Sequence, residues 1–179
     1  GVKAGVPHGF LVVAEDSFRN PVLLSEGALA FSDNLGSLAS ATCSSEEAGD
    51  LRYCELLFTV ATDGVEVTVS DGDGLSGASS PFEVVPGPPG QLHIQTLPGQ
   101  VTAGEEFPLQ VMVTDGWGNG VEIEPEGIHP FSAQDGFDTG SCEWQVEMSL
   151  GLHLLSCTLT TAGEEIFLEI YVENLLLVA

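Results

Sequence analysis

The sequence predicts an all-β protein of two tandem β-sandwich modules. Three observations carry that prediction: a gap-free internal repeat, a period-two alternation of apolar and polar residues, and close punctuation by glycine and proline. Residues 4–22 align on residues 103–121 at a constant offset of 99. Farther along, Phe31-Ser32 matches Phe131-Ser132 and Cys43 matches Cys142, while Cys54 matches Cys157 after a four-residue insertion. One module of about 100 residues therefore occurs twice.

The first copy, residues 1–86, opens with only Gly1-Val2-Lys3 where the second has Leu92-His93-Ile94-Gln95-Thr96, so its first strand is expected to be missing. Phe10, Val12 and Ala14 then alternate with Leu11, Val13 and Glu15, the pattern of a strand with one buried face. The motif Asp-x-(Phe/Trp)-x-Asn follows, at Asp16–Asn20 and again at Asp115–Asn119. Asp and Asn side chains bond to nearby backbone and tolerate unusual φ, so this is a turn, with Phe18 and Trp117 placed to cap the core. Val65, Val67 and Val69 against Glu66, Thr68 and Ser70 form a later strand, and residues 80–85 form the last one.

Residues 87–91 read as a short, stiff joint rich in proline, with Pro86, Pro88 and Pro89 setting its geometry. The second copy, residues 92–179, repeats the alternation. Leu109, Val111 and Val113 face one way against Gln110, Met112 and Thr114, and Ile166, Leu168, Ile170 and Val172 against Phe167, Glu169 and Tyr171. It stops at Leu175-Leu176-Leu177-Val178-Ala179, so its C-terminal strand is expected to be truncated and the chain to be a piece of a longer array. About seven short strands per copy, with no helical pattern, is the arithmetic of a sandwich.

Composition bounds the partners. Among 179 residues, 27 Asp and Glu face 3 Lys and Arg, a formal charge of −24. Lys3, Arg19 and Arg52 cannot displace counterions from a nucleic-acid backbone or hold an anionic membrane, so neither is expected as a partner. Disorder is disfavoured as well: 43% of residues are hydrophobic and 17% charged, and mean hydropathy is +0.22. No stretch nears the roughly 20 apolar residues that span a bilayer.

The motif Ala-Gly-x-x-(His/Phe)-x-(Phe/Leu)-x-Val-x-(Ala/Val)-x-Asp-x-(Phe/Trp)-x-Asn-x-Val resembles the opening of bacterial immunoglobulin-like (Ig-like) and invasin-type repeats. Residues 80–87 are similar to the closing strand of filamin-type Ig repeats. The resemblance implies a structural, adhesive or spacer role, as in adhesin stalks, filamin rods, and algal gamete-adhesion or flagellar-hair proteins, none of which uses its Ig modules as an enzyme. The extreme acidity and the paired cysteines depart from ordinary filamins.

The four cysteines fall two per copy. Cys43 and Cys54 enclose ten residues, and Cys142 and Cys157 enclose fourteen. These spans are too short for the inter-sheet bridge of antibody-type domains. They suit a local bridge across a hairpin or adjacent strands, with free buried thiols or a metal site as the alternatives. Zinc sites use cysteine pairs two to four residues apart, and none occurs here. Disulfides place the chain in an oxidising compartment, outside the cell or on its surface.

Asp71-Gly72-Asp73-Gly74 resembles the start of a calcium loop, with Asp71 and Asp73 as candidate ligands, but no Glu follows at the twelfth position. A glycine-rich hairpin turn is the competing reading, and the acidic run at residues 122–126 is read in the same way, as solvated loop against ligand set. No other cofactor is expected. His8, His93, His129 and His153 are scattered, and no nucleophile motif accompanies them, so no catalytic residue is assigned. Trp144 shares parity with Cys142 and Val146, which predicts core packing, and Trp117 sits in a turn. There is no N-glycosylation sequon.

The expected function is a non-enzymatic structural segment of an extracellular appendage or filament. The alternatives are an adhesion receptor module and, less favoured, an intracellular filamin-like crosslinker. The expected partners are neighbouring Ig-like modules of the same or identical chains, or a protein bound at loops or edge strands.

Overall fold

The computed structural model describes residues 1–24, 27–44, 51–96, 98–123, 128–134, 137–138, 140–149, 151–160, 168–172 and 175–178. The chain divides into two compact units, Gly1–Gly87 and Pro88–Ala179, and every regular element among the described residues is a strand.

The first unit contains β1 (Val2–Lys3), β2 (Pro7–Val13), β3 (Ala30–Asp33), β4 (Leu38–Cys43), β5 (Leu51–Phe58), β6 (Thr62–Val65), β7 (Val67–Ser70), β8 (Ser76–Ala78) and β9 (Phe82–Val85). They pair in the orders β2-β5-β4, β1-β9-β6 and β3-β7-β8. Strands β6 and β7 are separated only by Glu66, which bonds across to Asn34 instead of continuing the ladder: its N–H donates to Asn34 Oδ1 at 2.8 Å. Alternation along β5 turns Cys54, Leu56 and Phe58 inward, where they meet Val65, Val67, Val84 and Ala4. Phe10, Phe58 and Phe82, from β2, β5 and β9, close this core with ring centroids 5.5–6.1 Å apart. Burying each such side chain is worth roughly 1.5–3 kcal/mol.

The second unit contains β10 (Pro89–Thr96), β11 (Glu106–Asp115), β12 (Ile128–Gln134), β13 (Phe137–Asp138), β14 (Gly140–Ser149), β15 (Leu152–Leu159), β16 (Leu168–Val172) and β17 (Leu175–Val178). Its two sheets run β10-β11-β15-β14 and β13-β12-β16-β17. The strict alternation in β11 buries Phe107, Leu109, Val111 and Val113 against Leu92, Leu155, Cys157 and Leu159. Gly151, at φ 73°, lets the chain approach the end of β11 and the loop after it: a Cβ there would meet the Val113 carbonyl oxygen and Gly120 Cα.

Val2–Lys3, ahead of β2, pairs in parallel with Val84–Val85 and not with β2, so no counterpart of β10 lies beside β2 among the described residues. Two expectations need correction. Part of the expected joint is strand: Pro89 and Gln91 pair with Asp115 and Thr114 as the start of β10. The aromatics of the Asp-x-(Phe/Trp)-x-Asn turns do not cap a core, since Phe18 is 84% and Trp117 56% exposed. Each turn folds back on its own Asp, which points the intervening ring outward.

Candidate functional site

Both cysteine pairs are disulfides, and each joins directly opposed residues on adjacent antiparallel strands. Cys43 of β4 faces Cys54 of β5, and Cys142 of β14 faces Cys157 of β15. In both pairs the Cα atoms are 3.9 Å apart. That is nearer the roughly 4.5 Å of a non-hydrogen-bonded antiparallel pair, where side chains approach most closely, than the roughly 5.5 Å of a hydrogen-bonded one. Cys54 and Cys157 are fully buried, so each bridge is built into its core.

The Asp turns form a second repeated structure, and it occurs three times among the described residues. In the first, Asp16 Oδ1 accepts hydrogen bonds from the N–H groups of Phe18 (2.8 Å) and Asn20 (2.9 Å). Asn20 Nδ2 donates to Asp16 Oδ2 at 3.0 Å, and the Asp16 N–H donates to the Asn20 carbonyl at 2.9 Å. Asp115 does the same with Trp117 (2.9 Å) and Asn119 (3.0 Å), and Asn119 Nδ2 reaches Oδ2 at 2.8 Å. The fourth residue of each loop has positive φ, Arg19 at 64° and Gly118 at 89°.

Asp71 builds the third copy. Its Oδ1 accepts from the N–H groups of Asp73 (3.0 Å) and Leu75 (2.8 Å), and Gly74 has φ 97°. Here the fifth residue is Leu75 rather than Asn, and Asp71 Oδ2 is buried without a hydrogen-bond partner.

This geometry bears on the calcium candidates. Asp71 spends one carboxylate oxygen on its own loop and buries the other, while Asp73 is exposed. Among the described residues no three His, Cys, Asp or Glu side chains converge. In the acidic run, Glu122 is exposed and Ile123 half-buried, and residues 124–126 lie outside the described residues.

A fourth Asp orders another turn. Asp33 accepts from the N–H groups of Gly36, Ser37 and Leu38 and from Ser37 Oγ. Partial burial pushes its carboxyl upward, but the Ser37 hydroxyl and the three backbone donors outweigh that and hold it below the usual value. The Asp16 carboxyl is lowered too, first by the Asn20 side chain and then by backbone N–H groups.

The four histidines lie on four different strands, β2, β10, β12 and β15. His8 Nε2 accepts from the Lys3 N–H at 2.8 Å, and His153 is fully buried. In β14 the register runs without a shift from Cys142 to Trp144, opposite Leu155, and a bulge follows between Trp144 and Val146; the packing of the Trp144 side chain lies outside what is described. A cleft of about 250 Å³ opens between Val12–Glu15, Leu24 and Leu29 on one side and Val69–Asp71 and Leu75–Gly77 on the other. The repeated Asp loops are the feature sequence reasoning half missed. At Asp71 the sequence offers a glycine-rich hairpin turn against a calcium loop, but not the likeness to Asp16 and Asp115, because the fifth residue is Leu75 rather than Asn.

No protein-family profile and no curated protein matches the chain. Among solved structures it is similar to FdeC, an Escherichia coli adhesin, at 23% identity and a TM-score of 0.55, over 99% of this chain and 60% of that one. The fold is Ig-like. Domains 4 and 5 of the S-layer protein SbsC are also similar, at 15% identity and a TM-score of 0.40, over 93% of this chain and 76% of that one. The chain spans about 60% of the length of the FdeC structure it matches.

Proposed function

We propose that the chain is a non-enzymatic structural segment of an extracellular or cell-surface protein, a spacer within an appendage or filament. The observation that carries this reading is the equivalent placement of one buried disulfide per unit. A bridge between neighbouring strands of a small sandwich adds stability without building a binding site, and it persists only where thiols are oxidised. The likeness to a bacterial adhesin supports a surface location. Residues 86–88, the part of the Pro-rich stretch outside β10, serve in this reading as a stiff joint in an array whose units contact mainly their neighbours. Neighbouring modules are then the principal partners.

Thiol alkylation followed by intact mass, with and without prior reduction, tests the proposal. No label on the denatured, unreduced protein is the expected result. Four labels there would replace the surface spacer with an intracellular crosslinker.

A second reading, an adhesion module, has its own observation. Phe18, Leu23 and Trp117 are 84%, 78% and 56% exposed on loops, where apolar side chains serve recognition better than solubility. Saturable binding of a protein partner, abolished by Phe18→Ser or Trp117→Ser, would favour adhesion. Binding indifferent to both substitutions leaves the spacer reading in place.

A further inference from the structure

We propose that Asn119 is a self-modification site. Its side-chain amide is lost to the neighbouring Gly120 nitrogen, and the change unlocks the loop that lies under the start of β10. The second unit thereby carries a slow, one-way switch that the first unit lacks.

The sequence places the chemistry. Asn20 precedes Pro21, Asn34 precedes Leu35, Asn174 precedes Leu175, and Asn119 alone precedes a glycine. A main-chain N–H can attack the amide carbon of the asparagine before it and close a five-membered ring. Glycine, with no Cβ, leaves that approach open, whereas leucine crowds it. Proline has no N–H and closes the route. The repeat therefore supplies its own control: Asn20 and Asn119 close the same loop, and only Asn119 has a neighbour that can attack.

The structure shows what the amide does before it is lost. Asn119 Nδ2 donates to Asp115 Oδ2 at 2.8 Å, and the Asn119 N–H donates to Asp115 Oδ1 at 3.0 Å. The Asp115 N–H donates to the Asn119 carbonyl, and the Val121 N–H to the Val113 carbonyl. Neither of these flanking bonds uses the Gly120 N–H, the attacking group. Asn119 and Gly120 are both half-buried, so solvent reaches them. Asn34 is braced instead at both ends of its amide, accepting from the Glu66 N–H and donating to the Gly64 carbonyl.

The reaction needs only water. The Gly120 nitrogen bonds to Asn119 Cγ, the Cγ–Nδ2 bond breaks, and the Gly120 proton leaves through solvent with the departing ammonia. Water then opens the ring. Attack at Cγ leaves an aspartate, and attack at the main-chain carbonyl carbon leaves an isoaspartyl link whose backbone runs through Cγ. Neither product suits the loop as built. Asp115 is 1% exposed, and its Oδ2 exchanges a donor for a facing carboxylate. Carboxylates only accept, and a buried charge without a partner is strongly unfavourable. Pro89 pairs opposite Asp115, so the start of β10 loosens with the loop.

The test ages the full, folded chain in mildly alkaline buffer and follows intact mass and a peptide map. The expected result is a progressive gain of the mass that separates an acid from an amide, mapped to residue 119 as aspartyl and isoaspartyl products. Ring closure waits for the loop to open, so the folded chain should lag a capped peptide of residues 115–123 by at least about tenfold. An amide at Asn119 that outlasts, or merely matches, that of Asn34 overturns the proposal. Gly120→Pro, which copies the first unit, should keep the amide, and Pro21→Gly should install the loss at Asn20. Loss at residue 119 that persists in Gly120→Pro overturns the proposal too. For the unlocking, Asn119→Asp should lower the melting temperature by roughly 5–10 °C, and the aged protein should melt lower than the fresh. Unchanged melting in either overturns it.

Discussion

Asp16 and Asp115 carry the same five-residue loop with the same hydrogen bonds, yet Asp16 stands in solvent and Asp115 is 1% exposed. The difference comes from one strand. Pro89 of β10 pairs opposite Asp115, and Gly90 lies so close that a Cβ there would sit 3.0 Å from the Gly116 nitrogen. No equivalent strand covers Asp16 among the described residues. Local sequence thus writes the loop, and a neighbouring strand decides whether its carboxylate is a surface turn or part of the interior. Energetically the two are unlike, because a buried donor stripped of its acceptor costs far more than an exposed one that water can serve.

The largest expected effect treats the units alike. Replacing Cys142 and Cys157 with Ala should cost the second unit about 3 kcal/mol, and the Cys43/Cys54 pair slightly less, since the enclosed loop is shorter. Chemical unfolding of each double mutant measures this, and a loss confined to one unit would break the equivalence. Next comes the contrast itself. Asp115→Ala leaves the Trp117 and Asn119 N–H groups without their acceptor in a covered site and should cost about 2–3 kcal/mol. Asp16→Ala should cost clearly less. Equal losses in thermal unfolding would show that covering by β10 is irrelevant.

A smaller effect has the opposite sign. Leu75→Asn restores the missing fifth residue of the Asp71 loop and gives the buried Oδ2 a donor, for a gain of about 1 kcal/mol. Leu75 is 44% exposed, so little apolar burial is lost. A lower melting temperature would mean that the three loops are not interchangeable.

The smallest effect is on acid stability. The folded carboxyls of Asp33 and Asp16 are lowered. Their contribution is therefore complete above the unfolded value of about 3.9 and is lost as pH falls through the folded values. The stability difference between the wild type and Asp33→Asn should be constant from neutral pH to about 5 and shrink below about 4. A difference that grows in acid would reverse the sign of the shift.

Much of this was legible in the chain. The repeat, the alternation along β2, β5, β11 and β15, and the cysteine spacing depend on local periodicity, which survives without knowledge of neighbours. The pairing partners did not. Val2–Lys3 holds only two residues of pattern, too few to show that it would join β9, and Pro89 reads as a linker because proline is rare in strands. Proline at the first position of an edge strand is tolerated, and that is where it lies. Phe18 and Trp117 were misread because aromaticity suggests burial, whereas the loop geometry set by Asp and Asn points both rings outward. The Asp71 loop was obscured by its Leu, which hides the likeness to the two Asn-closed copies.

Each disulfide spans neighbouring strands of one sheet, and this has a mechanical consequence. Pulled from its ends, an unfolding unit can pay out only the chain that lies outside its bridge. The enclosed segments, with sequence separations of 11 and 15, withhold about 40 Å and about 50 Å of extended length. Each bridge is therefore a fuse in reverse: intact, it caps how far the unit stretches under load. A reductant acting on the stretched chain would lengthen the tether without severing it.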